Sequence, residues 1–126
     1  MPKQIIGGAQ AAYHGSPVSP AAKAGGFIFL SGQIGPLDDS GKPLEGIEAQ
    51  TRQALEKMKR VLNEAGATFN DVVKVTIFLT HSRNFEKMNE VYKKYFTQDY
   101  PPRSTLIASL THPEMLVEIE AIAYKP

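Results

Sequence analysis

The sequence predicts a two-layer α+β sandwich, and three observations carry that prediction. Apolar side chains recur at helical spacing over 47–65 and again over 84–96; β-prone runs occupy 27–31, 72–79, 104–108 and 116–124; and turn formers separate these segments. Two amphipathic helices must each cover an apolar stripe, so layering both on a sheet is the economical arrangement.

At 126 residues a single domain spanning 1–126 is expected, long enough to bury about two-thirds of the surface its unfolded chain exposes. Residues 1–26, rich in Gly, Ala, Ser and Pro, read as a loop-dominated lead-in with one short strand near Ile5-Ile6. Phe27-Ile28-Phe29-Leu30-Ser31, closed by Gly32, reads as a strand, and 35–43 is dense in turn formers. Over 47–65 the inward set is Ile47, Thr51, Ala54, Leu55, Met58, Val61, Leu62 and Ala65, with Gly66 as the stop. The stretch Val72–Leu79 is β-branched and apolar apart from Lys74, a strand expected to be apolar on both faces. Asn84 is placed to cap a second helix presenting Phe85, Met88, Tyr92, Tyr95 and Phe96, which Pro101-Pro102 cannot continue. Strands at 104–108 and 116–124 flank a turn at His112-Pro113. Both helices being used on one sheet face, the second face of 72–79 has no cover within the chain, which predicts self-association.

Composition narrows the function. A 42% hydrophobic share with 21% charged residues argues against disorder. Fourteen basic against thirteen acidic side chains give a net charge of +1, so nothing electrostatic draws the protein to nucleic acid or an anionic membrane. The basic pairs Lys59-Arg60 and Lys93-Lys94 fall in helical segments and read as solvated faces. Without cysteine there is no disulfide, thiolate metal site or Cys nucleophile, and the histidines (His14, His81, His112) lack metal-ligand spacing. No apolar run spans a bilayer and the first eight residues lack a signal-peptide core, so a cytoplasmic protein is expected.

Four places put polar groups where the patterning calls for apolar ones. Ser31-Gly32-Gln33 ends an apolar strand; it is either a tight strand exit or a point where a ligand approaches the Gly32 backbone beside the Ser31 hydroxyl. Arg103 follows a rigid Pro-Pro segment; its guanidinium either grips a planar carboxylate bidentately or forms a structural salt bridge. Glu118 and Glu120 share one face of a strand, as an exposed charged face or, if that face is covered, with one carboxylate handling a water. Asn89 lies on the apolar side of the second helix, as a hydrogen-bonded structural amide or a ligand contact.

These segments, in order, resemble the Rid (reactive intermediate deaminase, YjgF-like) family, long named L-PSP endoribonucleases. The resemblance rests on Phe29-Leu30-Ser31-Gly32-Gln33-Ile34, Gln50-Thr51-Arg52-Gln53-Ala54-Leu55, Val73-Lys74-Val75-Thr76-Ile77-Phe78-Leu79, Phe85-Glu86-Lys87-Met88-Asn89-Glu90-Val91-Tyr92, Tyr100-Pro101-Pro102-Arg103-Ser104 and Val117-Glu118-Ile119-Glu120-Ala121-Ile122-Ala123, and runs from about residue 25 onward. It implies a chorismate-mutase-like fold, two helices on one face of a mixed sheet, assembled as a homotrimer with clefts between subunits. It also implies hydrolysis of 2-aminoacrylate-like enamines and imines to 2-keto acids and ammonia, the 2-iminobutanoate/2-iminopropanoate deaminase reaction, with no metal or organic cofactor. By position, Arg103 clamps the substrate carboxylate, Glu118 handles the water, and Ser31, Gly32 and Asn89 line the cleft. Thr105 stands where many members have cysteine, a contact made largely through backbone. Ser16-Pro17-Val18 replaces the usual Gly-Pro-Tyr, so Val18 takes the place of the cleft tyrosine. Two other readings remain: an RNA-cleaving, translation-inhibiting protein, against which stands the lack of a basic stripe, and a non-enzymatic trimer binding small carboxylates.

Overall fold

The computed structural model describes residues 2–7 and 12–126; residues 1 and 8–11 of the predicted lead-in lie outside them. The elements are β1 (Gln4–Ile6), β2 (Ala21–Ala24), β3 (Phe27–Ile34), α1 (Ile47–Glu64), β4 (Val72–Leu79), α2 (Phe85–Tyr92), β5 (Arg103–Ile107) and β6 (Val117–Tyr124). One six-stranded sheet has the order β1-β2-β3-β6-β4-β5, antiparallel except for the parallel β4–β5 pair. Both helices bury their stripes against the same face, which is the predicted two-layer α+β arrangement on a mixed sheet.

Strand β2 was expected to be loop. Its Ala-Ala-Lys-Ala sequence carries no β-branched signal; antiparallel pairing with both β1 and β3 makes it a strand. Helix α1 buries Ile47, Thr51, Ala54, Leu55, Met58, Val61 and Leu62 as the spacing requires, and also Gln50. The Gln50 amide donates to the carbonyls of Leu44 (3.1 Å) and Glu114 (2.9 Å) and accepts from the Leu116 amide (2.9 Å). A buried amide satisfied on both ends ties the loop before α1 to the turn before β6. Gly66 stops the helix at φ 80°, a left-handed conformation that suits glycine, and the next amide, that of Ala67, returns to the Leu62 carbonyl (2.8 Å).

Helix α2 departs from expectation three times: Phe85, placed on its inward face, is exposed, and Val91 is buried instead. The helix ends at Tyr92, so Tyr95 and Phe96 follow it, although Phe96 stays buried and stacks on Tyr92 at 4.4 Å. Nor does Asn84 cap it: a 3-10 turn over Ser82–Asn84 leads straight in, and the His81 ring accepts from the Arg83 amide (3.0 Å) instead.

A bulge decides how β4 faces. Val72 pairs with Ala123 and Lys74 with Ile122, which squeezes out Val73 and turns Val72, Val75, Ile77 and Leu79 all inward. The other face therefore carries Lys74, Thr76 and Phe78 and is not wholly apolar, as the alternation had implied. Toward β1–β3 and at β5 that open face has apolar groups: Ile5, Phe27, Phe29, Leu106 and Tyr124 are exposed on it, with Phe27 and Tyr124 rings 4.9 Å apart. Strand β6 alternates as predicted, burying Val117, Ile119, Ala121 and Ala123 and turning Glu118, Glu120 and Ile122 to the open face. Among the described residues no helix is long and apolar enough to cross a membrane.

Candidate functional site

The polar interruption at Ser31-Gly32 is a second bulge. Leu30 pairs with Ala121 and Gln33 with Ile119, so two residues of β3 stand opposite one of β6. A Cβ on Gly32 would fall 2.0 Å from a Glu118 carboxylate oxygen, so the glycine is what lets this side chain lie across the strand. The Ser31 hydroxyl donates to the Ser19 carbonyl (2.5 Å), and the Ser31 amide to that of Pro20 (2.9 Å). With its proton committed, the Ser31 oxygen is left as an acceptor. Both bonds hold the 16–20 segment against the bulge and bring Val18, 59% exposed, to the rim. Val18, Ser19, Ser31, Gly32, Lys57 and Glu118 line part of a cavity of about 310 Å³. Burial, and then the neighbouring Glu120 charge, push the Glu118 carboxyl above the usual glutamate range. Glu120 is exposed.

Arg103 stands elsewhere. It pairs with Val75 and so shares the helix-covered face, on the edge strand β5, just after Pro101-Pro102. Its guanidinium lies over the rings of Tyr92 (4.8 Å to the centroid) and Phe85 (5.8 Å). Among the described residues it has no carboxylate within ion-pair distance, so the salt-bridge reading is not realised. Burial raises the Tyr92 phenol, and the Arg103 charge pulls it part of the way back. Asn89, Tyr92, Lys93, Tyr100, Pro101 and Arg103 line a cavity of about 240 Å³. Among the described residues, the buried oxygens of Asn89 (Oδ1) and Thr105 (Oγ1) have no hydrogen-bond partner.

The predicted residues thus fall into two groups. Val18, Ser31, Gly32 and Glu118 share one cavity beside β3 and β6; Asn89 and Arg103 share another beside β5, with Thr105 on the same strand. Strand β4 separates β6 from β5, and Arg103 and Glu118 point to opposite faces of the sheet. Within one chain Arg103 and Glu118 therefore do not meet. Among the described residues no three His, Asp or Glu side chains are grouped to hold a metal. Several lining residues were not anticipated. Tyr13 donates to Glu114, which pushes the phenol up to about 12, and the rings of His14 and His112 stack at 4.3 Å. These contacts dock the turn at 13–15 on that at 112–114, and no periodicity could announce a meeting of two distant loops. Tyr92 and Tyr100 were visible only as members of aromatic motifs, and Lys57 only as one more lysine on a helix.

The family model for Endoribonuclease L-PSP matches residues 9–125. The chain is 45% identical to a RutC family protein of Pyrococcus abyssi, covering 99% of both chains. It is 38% identical to the chloroplastic Reactive Intermediate Deaminase A of Arabidopsis thaliana, over 96% of this chain and 65% of the relative. The crystal structure of RidA from an Antarctic Psychrobacter superposes with a TM-score of 0.86 at 33% identity, over 96% of this chain and 98% of that one. With the bulged Ser31-Gly32, the unpaired Arg103 and the strand order all in hand, the protein belongs to the L-PSP endoribonuclease family, the Rid and YjgF proteins.

Proposed function

We propose that the protein hydrolyses 2-imino and 2-enamino carboxylic acids to 2-keto acids and ammonia, in clefts that form where two subunits of a homotrimer meet. One observation carries this reading: each half-site leaves its key group uncompensated. Among the described residues Arg103, oriented by aromatic rings, has no carboxylate within ion-pair distance, and the half-buried Glu118 carboxyl has no cation within ion-pair distance. The open sheet face that carries Glu118 has apolar residues on it and offers a surface on which a neighbouring chain would bring the two halves together. The name of the Arabidopsis relative adds support from outside the chain.

In this reading Arg103 binds the substrate carboxylate through two parallel N–H bonds. The Ser31 oxygen and the Asn89 Oδ1 accept from the substrate's N–H groups. Ionised Glu118 takes a proton from water as the water oxygen attacks C2 of the imine in its protonated, iminium form. The resulting neutral carbinolamine receives that proton on nitrogen; as the C–N bond breaks and ammonia leaves, the C2 hydroxyl proton passes to Glu118 and from there to solvent, and the 2-keto acid remains. An enamine first takes a proton at C3 and enters as the imine. Holding an electrophilic carbon against a placed water is most of what the reaction needs, so no cofactor is invoked. The cysteine-free sequence suits a cytoplasmic setting.

Ammonia release from freshly generated 2-iminopropanoate and 2-iminobutanoate, wild type beside Glu118→Ala, is the direct test. Wild-type rates no faster than buffer would end the deaminase reading, and retained carboxylate binding would then favour the non-enzymatic trimer. Sedimentation equilibrium should give the mass of three chains, and a monomer at micromolar concentration would remove the shared cleft.

Val18 sets the expected selectivity. Val18→Tyr adds a ring and a hydroxyl at the cavity rim without disturbing a core element, so it should change substrate preference more than Tm. The specificity constant for 2-iminopropanoate should rise against that for a bulky branched imine by roughly 5- to 100-fold, the range for one altered pocket contact. An unchanged ratio would show that residue 18 does not meet substrate.

A further inference from the structure

The cavity that holds Glu118 also contains a cation that the proposed hydrolysis leaves unused. Lys57 projects from α1 into its lining, and its ammonium donates to the Ile34 carbonyl (2.8 Å). That is the one hydrogen bond the group makes among the described residues, leaving two N–H donors free. Asp39, whose charge reaches Lys57, is already engaged by Arg60 (2.7 Å) and Gln53 (2.9 Å). No carboxylate among the described residues comes within ion-pair distance of Lys57. Glu118 lines the same cavity, its carboxyl shifted upward by burial and by Glu120. Burial pushes the Lys57 ammonium below the usual lysine range, with the Arg60 charge adding to it. A half-buried charge without a counter-ion is costly, and an anion entering the cavity would relieve that cost. There is room for one: about 310 Å³ is the size of pocket that takes drug-sized ligands, well beyond a three-carbon acid.

We infer that Lys57 forms a second anion subsite, so that the cleft favours substrates carrying a side-chain carboxylate, the imines of dicarboxylic acids such as 2-iminosuccinate and 2-iminoglutarate. The inference rests on the deaminase reading for its substrate, but its binding test does not. Arg103 would hold the carboxylate next to the reacting carbon, and Lys57 the distal one. An ammonium suits that task because it meets an oxygen anion as a point charge without demanding a fixed planar geometry.

Binding of the stable keto acids, followed by calorimetry on the intact protein, tests this without turnover. Wild type should bind oxaloacetate at least about tenfold more tightly than 2-oxobutanoate, the worth of one charge-assisted hydrogen bond. Lys57→Met should bring the two affinities within about twofold, and Lys57→Arg, which keeps the cation, should retain a preference for oxaloacetate. If Lys57→Met does not fold, Lys57→Gln takes its place, and the wild-type comparison stands by itself. Equal wild-type affinities, or a preference that survives loss of the cation, would overturn the subsite. Ammonia release from 2-iminobutanoate without any dicarboxylate preference would sink this inference and leave the deaminase reading intact. A Lys57-dependent preference with no ammonia release from any imine would do the reverse.

Discussion

Arg103→Ala is expected to lower kcat/KM for 2-iminopropanoate by roughly 10²–10⁴-fold while the protein stays folded. Two charge-assisted hydrogen bonds to a carboxylate are worth about 1.5–3 kcal/mol each, and each 1.4 kcal/mol is tenfold in rate. No side chain nearby can take over: Lys93, on the same cavity, presents a point charge without the planar fork. The fold loses little, because among the described residues Arg103 has no carboxylate partner, and it gives up mainly its place over the Tyr92 ring, about 1 kcal/mol. Arg103→Lys should recover only a small part of the lost activity. Steady-state rates and a circular-dichroism melt of both variants check the split between function and stability. Wild-type turnover in Arg103→Ala would remove the carboxylate clamp from the mechanism.

Glu118→Gln should be nearly as damaging to activity and opposite in its effect on stability. Without a group to take the proton from water, kcat is expected to fall by about 10²–10⁴-fold. The same carboxyl is held above its ordinary range by burial and by Glu120, so the fold favours its protonated form. For such a group the stability it contributes is present below its unfolded pKa and is lost as pH rises through the folded one. Once ionised, wild type carries a half-buried carboxylate beside Glu120, and the neutral amide is relieved of it. Tm of Glu118→Gln should exceed that of wild type at pH 7, and the difference should vanish near pH 4, where the carboxyl is protonated anyway. A lower Tm at pH 7 would instead mean that the assembled cleft supplies Glu118 with a cation.

The periodicities were legible residue by residue. Helical spacing marked every inward residue of α1 from Ile47 to Leu62 except Gln50, and strand alternation put Glu118 and Glu120 on one face of β6. Both patterns are local: a side chain's direction relative to its own helix or strand follows from 3.6- or two-residue repeats. What needed the tertiary structure was everything set by pairing between distant segments. Strand β2 exists because β1 and β3 flank it, and its alanines show no preference of their own. The bulge at Val73 let Val72 and Val75 face the same core, which strict alternation forbids, and the bulge at Ser31-Gly32 aimed one hydroxyl at Ser19 and cleared the space Glu118 occupies. The division of the candidate site is of the same kind. Arg103 and Glu118 could be picked out from their segments, but strand order and register alone decided that they lie on opposite faces of the sheet with β4 between their strands. An inserted residue or a change of neighbour reverses the face a side chain presents, and neither leaves a mark in the local pattern.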